Sequence, residues 1–393
     1  MGTKNFFECG NPKNDKLLKK CMRIAVIVIP TYNEASNIKN LLQEIFSLQN
    51  NLAHWKLQIL VVDSKSPDNT ASIVKNFQKI NKNIFLIQTS KEGLGKAYSK
   101  GFQYALNNLD PYVLFEMDAD LSHDPKKIPE FLKKIEEGAD FVIGTRYSKG
   151  GSIPKDWSFK RKLFSILGNI IIKFGFAKPM ISDWTSGYRA IKSWVVKRYV
   201  NKVDNYSGYV FQVATLNEAL KNNAQVKEIP IHFTDRIEGI SKINSTQFIT
   251  QTLLYVFSNS SFIKYAVVGG VSAIIDFSVS FAFIEVIKFS IWLSTLISVE
   301  TSIIFNFLMN NFWSFSHKKL ETKKHTYASS FLKFNLIQSI SLFIQLVGIQ
   351  MFAGFFGEKY WYIYKFFILA FIIVPLTYFL YNKFIWKSKG KKS

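Results

Sequence analysis

Four long apolar stretches in the last third of the chain constrain its fold most strongly. They cover residues 262–287, 291–315, 329–356 and 361–386, and each is longer than the about 20 residues that a helix needs to cross a bilayer. The stretches are rich in Phe and Ile and have almost no amphipathic periodicity, which argues against core helices of a soluble protein. The sequence therefore predicts an all-α domain of four transmembrane helices over residues 262–386.

The placement of lysines predicts how these helices are oriented. The chain has 50 Lys and Arg residues against 28 Asp and Glu, a net charge of +22. Four lysines lie in the 316–328 loop and four in a basic tail at 387–393, whereas the other two loops hold one each. The positive-inside rule places residues 1–261, this loop and the C-terminus on the cytoplasmic side of the cell membrane. Anionic lipid headgroups account for the basic excess, so no nucleic-acid partner is needed.

Composition excludes several other classes of protein. Residues 1–21 are polar and lack the apolar run of a secretory signal peptide, so we expect a polar cytoplasmic tail. The only cysteines, Cys9 and Cys21, lie in that tail, which excludes a disulfide scaffold and a cysteine-based zinc site. A hydrophobic content of 48% excludes a disordered chain.

Residues 22–243 have the alternation of an α/β domain. The β-branched run Ile24–Ile29, closed by Pro30, suits a strand that is buried on both faces. Amphipathic helical patterns separate it from similar runs at 57–62, 84–87, 112–117 and 140–143. This order predicts a Rossmann-like, mostly parallel sheet with helices on both faces.

Two further segments have the composition of interfacial helices. Residues 159–176 begin with basic side chains and continue with apolar ones, which fits a helix at the membrane surface or, alternatively, a core helix of the α/β domain. Residues 244–261 fit a second interfacial helix, which would link the α/β domain to the membrane domain.

The strongest chemical motif is Asp118-Ala119-Asp120, directly after the fourth predicted strand. Ligands of parallel sheets bind at the carboxyl ends of the strands, where these two carboxylates are expected. Two carboxylates can hold Mg²⁺ or Mn²⁺ and leave coordination sites for diphosphate oxygens and water. His123 follows and is expected to support the loop rather than to bind the metal.

Polar residues after the other strands belong to the same predicted edge. Tyr32 offers a ring face for a base and Glu34 a carboxylate, while Asp63 can accept hydrogen bonds from a base or ribose. Asp68 is either a helix cap or part of the site. The turn at Gly93 lacks the spacing of a nucleotide-binding P-loop, which excludes an ATPase of that type.

Three arginines are candidates for phosphate contacts, because the guanidinium group binds phosphate in a bidentate manner. Arg146 follows the fifth predicted strand, and Arg189 lies in Ser186-Gly-Tyr-Arg189. Arg236 lies in a polar, glycine-containing loop just before the membrane domain, which suits a loop that closes over a bound diphosphate.

Together these motifs resemble the family 2 glycosyltransferases, which are inverting enzymes of the GT-A fold, and among them the polyprenol-phosphate (dolichol-phosphate) mannose synthases. The resemblance covers about residues 22–245. The motifs that carry it are Pro30-Thr-Tyr-Asn-Glu34, Val61-Val-Asp63 with Ser66-Pro-Asp68, Gly93-Leu-Gly95, Asp118-Ala-Asp-Leu121 with His123, Gly144-Thr-Arg-Tyr147, Asp183-Trp-Thr-Ser-Gly-Tyr-Arg189, and Asp235-Arg236 followed by Gly239 and Ser241-Lys242.

The last third resembles GtrA-like membrane domains. Phe262 with Tyr265-Ala-Val-Val-Gly-Gly270 carries this resemblance, together with Asn306-Phe307 and Asn310-Asn-Phe-Trp-Ser-Phe315.

The resemblance implies the reaction and the roles of the residues. GDP-mannose would be the donor and a polyprenyl phosphate in the bilayer the acceptor, with Mg²⁺ or Mn²⁺ on Asp118 and Asp120. The implied nucleotide-sugar contacts are Pro30, Tyr32, Glu34, Asp63, Gly93, Asp118, Ala119, Asp120, Arg189, Arg236 and Lys242.

The chain departs from the family pattern at two positions. It has Ser64 where the family usually has a second Asp after Asp63, so one contact to the base or ribose is in doubt. It also has Ser122 where the family usually has Gln, which makes Ser122 a weak third metal ligand.

The acceptor explains why no catalytic histidine is evident. A phosphate monoester has a second pKa of about 6, so it is largely ionised at neutral pH and needs no general base. Arg146, with Lys160 or Arg161, would hold the acceptor phosphate opposite the leaving group, and in-line attack would invert the sugar. Catalysis would then depend on positioning and charge stabilisation by Asp118, Asp120, Arg146 and Arg161.

Three other functions are weighed against this one. A polyprenyl-phosphate glucosyltransferase that uses UDP-glucose would share the fold, the metal motif and the acceptor. A lipid-sugar flippase or anchor with a vestigial transferase domain is a second alternative. A processive polysaccharide synthase is disfavoured, because Gln212 is not followed by the Arg-Trp of that class.

Overall fold

Seven strands form one mixed sheet in the described part of the chain, with the order β3-β2-β1-β4-β6-β5-β7. The computed structural model describes residues 22–204, 206, 208–234, 245–320 and 324–387. The strands are β1 (Arg23–Thr31), β2 (Trp55–Asp63), β3 (Ile84–Gln88), β4 (Val113–Glu116), β5 (Phe141–Thr145), β6 (Arg189–Lys192) and β7 (Val226–Pro230).

The centre of the sheet is apolar because its strands are buried on both faces. All residues from Ala25 to Ile29 are completely buried in β1, and burying each of its Val and Ile side chains contributes about 1.5–3 kcal/mol. β1 pairs in parallel with both β2 and β4. β6 is antiparallel to its neighbours β4 and β5, so Glu116 of β4 lies opposite Arg189 of β6. The predicted α/β class with a mostly parallel sheet is confirmed, and β6 and β7 are additions to the predicted strands.

Helices separate most of these strands and cover the sheet. α1 is amphipathic and buries Ile38, Leu41, Leu42 and Ile45 in a core that it shares with α4 and the sheet. α3 packs against β1 and β2. The helices of this part are α1 (Ala35–Ser47), α2 (Thr70–Ile80), α3 (Leu94–Asn108), α4 (Ile128–Glu136), α5 (Phe159–Gly175), α6 (Ser193–Val203), α7 (Gly208–Lys221) and α8 (Ser245–Asn259).

The strand order creates a switch point between β1 and β4. From β1 the chain continues outward to β2 and β3 on one side, and β4 is added on the other side. The loops after β1 and β4 therefore diverge from each other. Ligands of open α/β sheets bind in the crevice at such a point.

Backbone contacts divide the chain into two compact units. The first holds residues up to Phe174 together with Lys178–Tyr255, and the second holds Gly175–Ala177 and residues from Val256 onward. α8 therefore begins in the first unit and ends in the second. The domain limits expected at 243 and 261 stay predictions.

The second unit is helical, as predicted. Among the described residues, four segments are long and apolar enough to cross a membrane, namely Ser261–Val286, Leu293–Ser314, His325–Phe356 and Ile363–Phe384. They are built from α9 (Ser261–Phe281), α10 (Ile291–Met309), α11 (Lys324–Phe356), α12 (Trp361–Phe367) and α13 (Val374–Phe384), with π-helical segments at Ala282–Val286, Asn310–Ser314 and Ile368–Ile373.

Aromatic and polar contacts join these membrane helices. Phe315 stacks on Trp386 with 4.6 Å between the ring centroids. The hydroxyl groups of Tyr265 and Thr377 are 2.6 Å apart, and Ser298 donates a hydrogen bond of 2.6 Å to Asp276. These interhelical hydrogen bonds satisfy polar groups that would otherwise face hydrocarbon.

Candidate active site

A cleft lies at the carboxyl edge of the sheet, at the switch point between β1 and β4. Its walls come from the loops after β1, β2, β3 and β4 and from the start of α3. The residues that line it are Pro30, Thr31, Tyr32, Glu34, Ser64, Lys91, Gly93, Leu94, Ala97, Asp118, Ala119 and Asp120. The structure thus brings together seven of the predicted nucleotide-sugar contacts, namely Pro30, Tyr32, Glu34, Gly93, Asp118, Ala119 and Asp120.

The loop after β1 is held by the start of α2. Asn33 has a left-handed backbone with φ of 63°, and the backbone N–H groups of Glu34 and Ala35 donate to Thr70 Oγ1 and Asp68 Oδ2. Burial alone would raise the pKa of Asp68, but hydrogen bonds from Thr70 and Ala35 outweigh it and lower that pKa. Asp68 therefore connects the start of α1 to the start of α2. This connection holds Tyr32 and Glu34 in the wall of the cleft.

Asp63 is buried in the structure, and its predicted contact to a base or ribose stays a prediction. It is completely buried, and its carboxylate accepts hydrogen bonds from Thr31 Oγ1 at 3.1 Å, Ser66 N at 3.0 Å and Ser66 Oγ at 2.5 Å. Gln88 donates a further, longer bond of 3.4 Å. Asp63 therefore fixes the loop after β2 through these hydrogen bonds. The neighbouring Ser64 is the residue of this loop that lines the cleft.

Two hydrogen bonds hold Asp118 in the loop after β4. Tyr98 of α3 donates from its hydroxyl to Asp118 Oδ1 at 3.2 Å. The backbone N–H of Asp118 donates to His123 Nδ1 at 3.1 Å, so the proton of that imidazole is assigned to Nε2. Burial lowers the pKa of His123, and its ring stacks on Tyr188 with centroids 4.8 Å apart. His123 is thus a neutral anchor of this loop.

Asp120 is held by its own turn. The side chain is only 4% exposed, and its Oδ1 accepts from the backbone N–H of Ser122 at 3.1 Å. Leu121, between them, has a φ of 61°, which this tight turn requires. The turn keeps both carboxylates, Asp118 and Asp120, on the wall of one cleft.

The donor set suits a divalent cation bound mainly by oxygen. Mg²⁺ and Mn²⁺ favour carboxylate, water and phosphate oxygens. No group of three His, Cys, Asp or Glu side chains within the described ranges could enclose a metal ion, so an ion here would need ligands from a diphosphate and from water. Ser122 does not line the cleft, and its Oγ atom is buried without a described hydrogen-bond partner. The structure therefore gives no support to Ser122 as a third ligand.

Arg146 lies in a buried ion pair after β5. Its Nε donates to Asp183 Oδ2 at 2.7 Å and its Nη2 to Asp183 Oδ1 at 2.8 Å. Nη2 also donates to Thr185 Oγ1. Burial alone would raise the pKa of Asp183, but the Arg146 guanidinium and the hydrogen bonds outweigh it and lower that pKa. This bidentate pair fixes the plane of the arginine.

The start of α5 carries the other predicted acceptor cations. The guanidinium carbon of Arg161 lies 3.9 Å from the centroid of the Trp157 ring, a cation–π contact. Phe233 lies 6.0 Å from Trp157 and 5.6 Å from the Arg146 guanidinium, so it joins the two arginines on one side of the first unit. Lys160 and Arg161 are both exposed. Their roles, like that of Arg146, stay predictions.

Comparison with known proteins agrees with this arrangement. Residues 26–202 match the model of glycosyl transferase family 2, and residues 264–386 match that of the GtrA/DPMS transmembrane domain. The chain is 34% identical over 223 residues to the polyprenol monophosphomannose synthase of Mycolicibacterium smegmatis, covering 56% of this chain and 81% of that one. It is 30% identical over 325 residues to the dolichol-phosphate mannosyltransferase of Pyrococcus furiosus, covering 80% and 86%.

The chain is a family 2 glycosyltransferase of the polyprenol-phosphate mannose synthase group. Solved structures resemble this enzyme more distantly. Mannosyl-3-phosphoglycerate synthase from Rubrobacter xylanophilus has a TM-score of 0.45 at 16% identity. The aligned region covers 60% of this chain and 72% of that synthase. Glucosyl-3-phosphoglycerate synthase from Mycobacterium tuberculosis with Mn²⁺ and UDP-glucose has a TM-score of 0.44 at 14% identity, covering 60% and 79%. These values are too low to transfer the ligands of those crystals to this enzyme.

Arg189 is also buried, and its predicted contact to a phosphate stays a prediction. It was expected at a phosphate of the nucleotide, but it is completely buried in the glycosyltransferase. Its guanidinium donates to the backbone oxygens of Gln212 and Trp184 and to Thr215 Oγ1. Arg189 Nε also lies 4.0 Å from Glu116 Oε2. The arginine therefore joins β4, β6 and α7 inside the first unit of the enzyme.

The remaining predicted contacts, Arg236 and Lys242, lie outside the described residues. Residues that the motifs did not single out also contribute to the site. Tyr98 donates a hydrogen bond to Asp118, Asp183 holds Arg146, and Lys91 lies in the cleft with Nζ 3.5 Å from the Tyr32 ring centroid. Asp183 begins the recognised motif Asp183–Arg189, and Tyr98 lies three residues after Gly93-Leu-Gly95, but the partners of both residues are distant in sequence.

Proposed function

We propose that this membrane-bound enzyme transfers mannose from GDP-mannose to a polyprenyl (dolichyl) phosphate. The products are polyprenyl-phosphate mannose and GDP. The observation that carries the proposal is the pair Asp118 and Asp120 in one cleft at the switch point of the sheet, in a chain with four candidate membrane spans. The names of the two relatives, a monophosphomannose synthase and a mannosyltransferase, favour mannose over glucose.

The donor would lie in the cleft with its diphosphate at Asp118 and Asp120. These carboxylates are the residues that would hold Mg²⁺ or Mn²⁺, and when bound the ion neutralises charge on the departing nucleoside diphosphate. Tyr32 offers an aromatic face beside them, and Lys91 adds a positive charge to a cleft that otherwise has three carboxylates, those of Glu34, Asp118 and Asp120.

The acceptor phosphate would bind to Arg146, Lys160 and Arg161. An oxygen of the ionised phosphate forms the bond to the anomeric carbon while the bond from that carbon to the diphosphate breaks. The sugar is inverted, and no proton has to leave the nucleophile. The position of His123 agrees with this mechanism, because its Nδ1 already accepts the backbone N–H of Asp118. The work of the protein is then to position two phosphorylated substrates and to balance their charge.

The surface of α5 supports contact of the catalytic unit with the bilayer. Only Asn169 and Ile172 of this helix are buried. Seven of its other apolar side chains form an exposed face, which is typical of an interfacial helix and unusual for a soluble surface. The members of this face are Phe159, Leu163, Ile166, Leu167, Ile170, Ile171 and Phe174. Such a face would keep the active site at the level of the lipid phosphates.

A donor assay tests the proposed reaction. Membranes that contain the full chain are incubated with a polyprenyl phosphate and one radiolabelled sugar nucleotide at a time, followed by lipid extraction. We expect label in the lipid fraction with GDP-mannose, and loss of that label when EDTA removes divalent metal. Label from UDP-glucose alone would instead support the glucosyltransferase. If the enzyme binds nucleotide but no donor labels the lipid, both the mannosyltransferase and the glucosyltransferase are contradicted.

The membrane orientation is tested by cysteine labelling. With Cys9 and Cys21 replaced by serine, we expect Lys288→Cys to react with an impermeant maleimide in intact cells, because that loop carries little positive charge and faces outward. Lys319→Cys, in the lysine-rich loop, is expected to react only after permeabilisation. The reverse pattern would place the catalytic unit on the outer face.

A further inference from the structure

Tyr98 is a buried phenol that reaches the proposed metal site from a neighbouring helix. It is completely buried in α3, and its hydroxyl donates to Asp118 Oδ1 at 3.2 Å. Together with the bond from the Asp118 backbone N–H to His123 Nδ1, this fixes both the backbone and the carboxylate of Asp118. The mechanism described above does not use Tyr98.

Aromatic packing holds the Tyr98 ring in place. Phe211 of α7 lies nearly parallel to it, with 6.0 Å between centroids and an angle of 8°, and Phe102 lies 5.9 Å away on the same helix. A Cβ atom on Gly95 would collide with the Tyr206 carbonyl oxygen, so glycine at this position lets α3 approach the segment that carries Phe211. The phenol therefore has little freedom to turn away from Asp118.

The same helix also forms a wall of the donor cleft. Gly93, Leu94 and Ala97 line the cleft at the start of α3, and Tyr98 follows directly. Gly93 has a φ of 100°, a conformation that suits glycine and directs the chain into the helix. The start of α3 thus lines the proposed nucleotide cleft and also carries the tyrosine that hydrogen-bonds to the Asp118 carboxylate.

We propose that Tyr98 is a positioning residue for the metal site, which orients the Asp118 carboxylate and links that orientation to the donor wall at the start of α3. The inference rests on the proposed function, because it presumes a divalent ion at Asp118 and Asp120. Some residues form hydrogen bonds to metal ligands without contacting the metal. Replacing such a residue typically lowers metal affinity by about 10- to 100-fold.

The test measures Mn²⁺ binding rather than turnover. Purified full-length enzyme is titrated with Mn²⁺ in the presence of GDP or of UDP, and free Mn²⁺ is followed by its electron paramagnetic resonance signal, with protein-free nucleotide as the blank. We expect Tyr98→Phe to raise the Mn²⁺ dissociation constant by about tenfold, with a midpoint of thermal unfolding close to that of the wild type. The ring packing is retained in this variant, so the loss reports on the hydroxyl alone.

Tyr199→Phe is the matched control. Tyr199 is also completely buried, on the neighbouring α6, and its hydroxyl has no hydrogen-bond partner within the described ranges. We expect its removal to leave Mn²⁺ binding unchanged. If Tyr98→Phe does not fold, Tyr98→Met, which also lacks the hydroxyl, replaces it.

The outcomes separate this inference from the proposed function. Equal Mn²⁺ affinity in the wild type and Tyr98→Phe would overturn the role of Tyr98 and leave the metal site intact. A tenfold loss in Tyr199→Phe as well would also overturn it, because the effect would then be general to buried hydroxyl groups. Absence of nucleotide-dependent Mn²⁺ binding in the wild type would overturn the metal site and the inference together.

Discussion

Asp120→Asn is expected to reduce the rate of mannosyl transfer by about 100- to 1,000-fold, because it removes one of the two carboxylates that would hold a divalent ion, and that ion would neutralise charge on the departing diphosphate. The enzyme should still fold. Asparagine keeps the shape of the side chain, and its carbonyl oxygen can still accept the hydrogen bond from the backbone N–H of Ser122. The rate is measured by extraction of radiolabelled lipid, and folding by the midpoint of thermal unfolding.

Asp124→Asn is the matched control for this prediction. Asp124 lies in the same loop and is exposed, and it caps the short turn at Lys126 without lining the cleft. We expect its replacement to leave transfer within about twofold of the wild type, since exposed caps contribute mainly to local stability. Full activity in Asp120→Asn, or an equal loss in both variants, would contradict the assignment of the metal ligands.

Much of the fold could be predicted because its signals are local. β1 and β2 are mostly apolar and rich in Ile and Val, so their positions follow from local sequence, and the observed strands extend the predicted ones by only one or two residues at each end. β6 and β7 were missed because they have four and five residues and carry charged side chains such as Arg189 and Glu228. Pairing with other strands stabilises them, and a single sequence does not contain that information.

The candidate site was likewise predictable only in part. The rule that ligands bind at the carboxyl edge of a parallel sheet was enough to bring Tyr32, Glu34, Asp118 and Asp120 into one cleft. Burial was not predictable, because it depends on partners far along the chain. Asp63 is enclosed by groups on β1 and β3 as well as by Ser66, and Arg189 is enclosed by α7. Both residues follow the motif pattern, yet both side chains are buried in the structure.

Removal of the Asp183 carboxylate is expected to have the largest effect on stability. Asp183 and Arg146 form a bidentate pair with side chains that are 0% and 6% exposed. Breaking such a pair leaves a buried charge without its counter-ion, which costs about 3–5 kcal/mol. For a domain of this size that corresponds to a fall of at least about 6 °C in the midpoint of thermal unfolding. We therefore expect Asp183→Ala to unfold at least that much earlier, measured by tryptophan fluorescence of the full chain in detergent.

Three comparisons decide whether the buried charge is the cause. The double variant Asp183→Leu with Arg146→Met removes both charges and should recover much of the lost stability. Glu130→Gln breaks the partly exposed pair with Lys127, in which Nζ and Oε2 are 2.8 Å apart, and should cost less than about 1 kcal/mol. Because the pKa of Asp183 is lowered in the folded state, its contribution is present at neutral pH and is lost only as the pH falls below the ordinary aspartate range. The difference in unfolding midpoint between wild type and Asp183→Ala should therefore stay constant from pH 6 to 8. A double variant that is as unstable as Asp183→Ala would show that the loss comes from the cavity and not from the unpaired arginine.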